Sequence, residues 1–227
     1  MRPARIAALL ACLSAPAAFA QDADFVACDG PLSDDDFYRL VACRAPPGKP
    51  CREDFVRWAP EAAQALRIGF APVSSGYPAV LRDQLYYGLG LAIGSINRIG
   101  ADLHLIAEDD PERQDITIHL ISSREGEPIS GTGNYEMDGF VIGAALVHIS
   151  WDASKHITDA TIAMAADIPL SNAYPVLLEE VTQSLGLMTD IRNPYYETTS
   201  VFSEDSNLVR KHGPQDRMAI LRHYPHS

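Results

Sequence analysis

Pro175-Val-Leu-Leu-Glu-Glu-Val-Thr-Gln-Ser-Leu-Gly-Leu-Met-Thr-Asp190 is the stretch from which the fold is read. Leu177, Leu178, Val181, Leu185 and Met188 recur at the spacing of one helical face, and Glu179, Glu180 and Gln183 punctuate it. The pattern predicts an amphipathic helix with polar groups set on or beside its buried side. Pro175 suits the first turn, and Gly186 is a natural stop because glycine takes the left-handed conformation without penalty.

Further on stand Ser200-Val-Phe-Ser-Glu204 and Asp216-Arg-Met-Ala-Ile-Leu-Arg-His-Tyr224. Together these segments resemble the metzincin zinc metallopeptidases. In that family the helix reads His-Glu-x-x-His-x-x-Gly-x-x-His, a Ser-Ile-Met-x-Tyr-like turn lies below the metal, and an Asp-x-x-Ala-Ile-x-x-Leu-Tyr-like helix ends the domain. The resemblance puts Glu179 at the first ligand, Glu180 at the general base, Gln183 at the second ligand and Thr189 at the third. Gly186 falls at the turn glycine, Asp190 at the trailing Asp, Phe202 at the methionine and Glu204 at the tyrosine. All three histidines are replaced, and carboxylate, amide and hydroxyl groups are poor substitutes for imidazole at zinc. Glu-Glu-x-Thr-Gln-x-Leu-Gly-Leu followed by Ser-Val-Phe-Ser-Glu-Asp also resembles a proteobacterial family of exported proteins known as domain of unknown function 2927, a name that carries no activity.

The order of elements before the helix fits the same resemblance. A strand at 66–71, a long helix at 79–99, strands at 103–107 and 116–121, an edge strand region at 140–150 and a strand at 158–165 are expected from periodicity. The resemblance therefore implies an α+β, metzincin-like fold: a mixed twisted sheet, a long backing helix, a central active-site-type helix and a C-terminal helix. Gly88, Gly90 and Gly94 on the long helix suggest close packing against the sheet. His104 and His119 alternate with apolar residues and read as structural. His212, His223 and His226 in the tail read as a solvated surface because their spacing is irregular.

A length of 227 residues with 47% hydrophobic and 21% charged composition suits one ordinary globular domain. Residues 1–20 stand apart, with a basic start, an apolar run and Ala18-Phe19-Ala20, the form of a removable export signal. Leu9-Leu10-Ala11-Cys12 approximates a lipid-attachment box, but the apolar run before it is short, so a periplasmic or secreted protein is expected before a lipoprotein. The leader holds Arg2 and Arg5 and no acid, so its removal takes the formal charge from −12 to −14. Such acidity opposes binding to nucleic acid or anionic lipid; it accommodates a basic protein or peptide partner, but its first reading is charge that keeps an exported protein in solution. No later stretch is apolar for long enough to span a bilayer.

Residues 21–56 read as a cysteine-containing extension and 57–227 as the main domain. Ser33 and three following aspartates predict a capped helix in the extension. Cys28, Cys43 and Cys51 allow one disulfide in an oxidising compartment, with three pairings open.

No Gly-x-Ser-x-Gly elbow or reactive-cysteine signature occurs. The expected function is a catalytically degenerate metallopeptidase-like domain with a binding or structural role in the cell envelope and no resident cofactor. The alternative is a metal-dependent hydrolase or peptidase in which Glu179, Asp190 and Glu204 hold a hard divalent cation and Glu180 is the general base. A purely structural reading makes the polar groups of the helix buried hydrogen-bonding partners.

Overall fold

The computed structural model describes residues 25–226, so the leader at residues 1–20 lies outside the described residues. β1 (Phe25–Ala27) leads into α1 (Asp34–Cys43). Ser33 Oγ accepts the Asp36 amide at 3.1 Å, a cap worth about 1 kcal/mol, and the three aspartates occupy the positive end of the helix. Cys43 is bonded to Cys51, leaving Cys28 as the free thiol among the described residues. With a sequence separation of 8, closing this loop contributes about 2.5 kcal/mol by chain entropy. A disulfide is the chemistry of an oxidising compartment. No helix among the described residues is long and apolar enough to cross a membrane.

The main sheet is built from β2 (Arg57–Trp58), β3 (Leu66–Phe70), β4 (Leu105–Ala107), β5 (Ile116–Leu120), β6 (Ala145–Trp151) and β7 (His156–Met164). A short α2 (Pro60–Ala63) and the 19-residue α3 (Ala79–Asn97) connect the first of these. The order is β2-β7-β5-β3-β4, all parallel, with β6 antiparallel to β7 and, among the described residues, paired to no other strand. The molecule is thus a mixed α and β fold with a mostly parallel sheet and helices packed on it. β5 and β7 bring Ile116, Ile118, Leu120, Ala160 and Ile162 into the core, the near-continuous apolar content expected of central parallel strands.

α4 (Ala173–Gln183) follows, then β8 (Asp190–Arg192) and α5 (Pro214–His223). β8 pairs with β1, and α1 packs on α5, so the extension shares one core with the rest through Phe37, Leu40 and Val41. The carbonyls at the C-terminal end of α4, which have no helical partner, are met from elsewhere. Trp58 Nε1 donates to Ser184 O at 3.0 Å and Tyr224 Oη donates to Leu185 O at 2.6 Å. Gly186 then turns the chain at φ +96°. A Cβ there would sit 2.1 Å from Val56 O, so both conformation and space demand glycine.

Two expectations are corrected. Of the three α3 glycines, Gly88 approaches α4 rather than the sheet, where a Cβ would meet Leu177 at 3.3 Å, while Gly90 faces open space and Gly94 lies beside the Arg98 side chain. The tail is also not a solvated run of histidines: His212 and His223 are buried, and only His226 is exposed. Each buried ring joins distant elements. Thr182 Oγ1 donates to Leu178 O and so accepts from His212 Nε2, which leaves Nδ1 to accept from Ser95 Oγ. His223 Nε2 donates to Val56 O at 2.9 Å while Nδ1 accepts from Tyr38 Oη at 3.2 Å. Burial lowers the pKa of both to about 4, so both stay neutral at pH 7.

Candidate functional site

A cleft of about 720 Å³ opens over the C-terminal half of α4, between β6 and the disulfide-closed extension. Glu180, Gln183, Thr189, Asp190 and Glu204 line it, which brings five of the positions singled out in the sequence to one place. Glu180 and Gln183 stand three apart on the helix and so share a face. Asp190 opens β8 just after the helix-ending turn at Gly186 has reversed the chain, and Glu204 reaches the same wall because its amide donates to Ile191 O at 3.1 Å.

Glu179 is not among the lining residues but bonds to Asp190 from behind. Its pKa is raised well above the usual range, first because surrounding protein excludes water, then because Asp190, Glu180 and Glu204 are negative neighbours. The neutral carboxyl can then donate to Asp190. Gln183 Nε2 also donates to Asp190 Oδ1, at 2.7 Å. Phe202 is fully buried, with its ring edge-on to Phe37 at 6.1 Å, and its carbonyl accepts from Ile191 N at 2.7 Å. The turn at 200–203 is anchored by Asp216, which accepts from Ser200 Oγ (2.6 Å), Val201 N (3.0 Å) and Gly213 N (2.8 Å).

Glu180 differs from these satisfied groups. It is 7% exposed, and its Oε2 is buried with no hydrogen-bond partner. Burial first, and Asp190 second, push its pKa up to about 8. An unpartnered buried carboxyl costs several kcal/mol when ionised, so it holds a proton at pH 7.

The walls come from segments in which the sequence offered no candidate site residue. Arg44 and Glu53, paired at 2.9 Å, belong to the extension; Glu136, Met137, Phe140 and Val141 precede β6; His148 projects from β6. His148 Nε2 lies 3.1 Å from Glu136 Oε2 but off the hydrogen-bonding direction, so the two attract only when the imidazole is protonated. Alternation of His148 with buried Val147 and Ile149 is a signal that could have drawn attention to it. For Arg44 and Glu53 no local signal exists. The lining thus carries five carboxyl groups against one arginine.

The donor set does not suit zinc. Gln183 presents an amide N–H to Asp190, Thr189 is a buried hydroxyl residue, and Glu204 is engaged by Arg192 at 3.0 Å. Among the described residues no group of three His, Cys, Asp or Glu side chains is arranged to hold a metal ion. No protein-family model matches the chain, and no curated protein matches it.

Proposed function

We propose that this chain is an exported, catalytically degenerate metallopeptidase-like domain that uses its cleft to bind a partner in the cell envelope. The observation that carries the reading is the 2.7 Å bond from Gln183 to Asp190, which spends the second ligand position of the metzincin-like pattern on a protein contact. Peptide hydrolysis by such a frame depends on a Lewis acid that lowers the pKa of bound water from about 16 to about 7. Carboxyl, amide and hydroxyl groups in place of three imidazoles remove the means of holding it. The order strand, long helix, two strands, antiparallel edge strand, strand, helix supports the resemblance, as does a cleft bounded by that edge strand and α4. The Cys43–Cys51 bond supports export.

The alternative hydrolase finds its support in Glu180, since a carboxyl with a pKa raised to about 8 is typical of acid–base sites. Such a group enters the reaction protonated at neutral pH, as an acid rather than as the general base of the family pattern. Metal analysis of the purified mature protein, run beside a peptide-cleavage assay, separates the two. The expected result is less than stoichiometric zinc and no cleavage. Stoichiometric zinc, with cleavage abolished by Glu180→Gln, rejects the proposal, and calcium or manganese lost on Glu179→Gln or Asp190→Asn moves it to the alternative.

A further inference from the structure

The cleft has a property that a relic site need not have. Among the described residues, Glu180 is 7% exposed and its Oε2 has no hydrogen-bond partner, and the residue lines this cleft. Buried polar atoms are nearly always paired, so an unpartnered carboxyl oxygen lining a hollow points to a ligand that supplies the donor. Charge selects the kind of molecule. Glu53, Glu136, Glu180, Asp190 and Glu204 line the cleft beside a single arginine, Arg44, which is paired with Glu53. An anion would be repelled from this lining. A compact divalent ion would find Gln183 presenting an N–H to Asp190, and Glu204 held by Arg192. A planar guanidinium brings several donors in a fixed fork and fits a carboxylate edge without needing a metal's coordination sphere.

The walls select what carries that charge. Met137, Phe140, Val141 and Met188 line the same hollow, and Phe140 and Val141 are 47% and 55% exposed. Apolar side chains left open to water at the mouth of an acidic hollow suit a cation on a hydrocarbon stem, which buries its methylenes while its head meets the acids. The volume of about 720 Å³ lies within the range of ligand-binding clefts.

We infer that the cleft receives an arginine side chain of a protein or peptide partner, with Glu180 taking the guanidinium at the floor and Phe140, Val141 and Met188 flanking the stem. The inference rests on the binding-protein reading of the cleft and names what is bound there. Glu180 releases its proton to solvent as the cation binds and so exchanges an unpartnered oxygen for a charge-assisted bond, and Glu136 attracts the ligand from the rim.

Calorimetry on the mature protein tests this with a capped five-residue peptide of alanines around a central arginine, and with its citrulline counterpart, which has the same shape and no charge. The arginine peptide is expected to bind at least tenfold more tightly than the citrulline peptide. Glu180→Gln should erase at least tenfold of that affinity, and Glu136→Gln, which alters only the rim, should cost about two- to threefold. Glu112→Gln removes the same charge outside the cleft and should leave affinity unchanged. No binding, equal binding of the two peptides, insensitivity to both cleft variants, or displacement of the arginine peptide by manganese at equimolar concentration overturns the inference. None of these except the manganese result touches the proposal of a non-catalytic domain, which falls instead to zinc and cleavage.

Discussion

Asp216 and Glu180 are both buried carboxyl groups, and they are buried to opposite ends. Asp216, with no exposed surface, accepts three hydrogen bonds from Ser200, Val201 and Gly213 and so ties the 200–203 turn to α5. Glu180 is as nearly enclosed, yet one of its oxygens meets no donor, and Asp190 adds negative charge beside it. Burial raises the pKa of both. The difference is that Asp216 has become part of the scaffold while Glu180 is a liability the scaffold tolerates. Depth alone does not separate structure from site, whereas satisfaction of hydrogen bonds does.

Removing the satisfied group should have the largest effect. Asp216→Ala strands two backbone amides and a hydroxyl in the interior and is expected to cost about 4 kcal/mol, measured by chemical denaturation at pH 7. A loss below 1 kcal/mol would erase the distinction drawn between the two carboxyls. At Glu180 the sign reverses. A carboxyl whose pKa rises from 4.5 in the unfolded chain to about 8 in the fold keeps its proton longer when folded. Stability is therefore lost as pH rises from about 4.5 through 8, with about 3 kcal/mol at stake between pH 5 and pH 8. Glu180→Gln should remove most of that slope and raise stability at pH 8, leaving pH 5 nearly unchanged. A slope identical in wild type and variant would mean that Glu180 is not the group under strain.

The same contrast explains how much could be read from the chain alone. The central helix, the long helix and the four longer strands of the sheet are periodic over their own length, and local spacing suffices for them. Gly186 was legible as a helix stop, and its second reason, the approach of Val56 O, comes from 130 residues away and was not. Glu180, Gln183, Thr189 and Asp190 were found together because they are neighbours in sequence. The walls were missed because Arg44, Glu53, Glu136 and His148 come from separate segments that only the fold joins. The short β1 and β8 each have three residues and owe their pairing to one another rather than to pattern.

The tail histidines were misread for a related physical reason, and they supply the smallest and subtlest effect. Spacing predicts burial only where a side chain shares a face with its neighbours, and His223 is buried instead by Tyr38 and Val56, from the other end of the chain. Its pKa of about 4 lies below the ordinary 6.5, so the unfolded chain binds a proton that the folded chain refuses. The stabilising contribution is complete above pH 6.5 and is lost as pH falls towards 4, about 2 kcal/mol between pH 7 and pH 5. His223→Gln retains an N–H for Val56 O and an acceptor for Tyr38 Oη but cannot take up a proton. Relative to wild type, denaturation midpoints followed from pH 7 to pH 5 should therefore fall less steeply in this variant, while Glu180→Gln, which removes a stabilising contribution that grows over the same range, should make them fall more steeply. If the acid limb instead flattened with Glu180→Gln and persisted with His223→Gln, the satisfied pin and the unsatisfied floor would have exchanged roles, and the cleft would no longer be the strained part of the molecule.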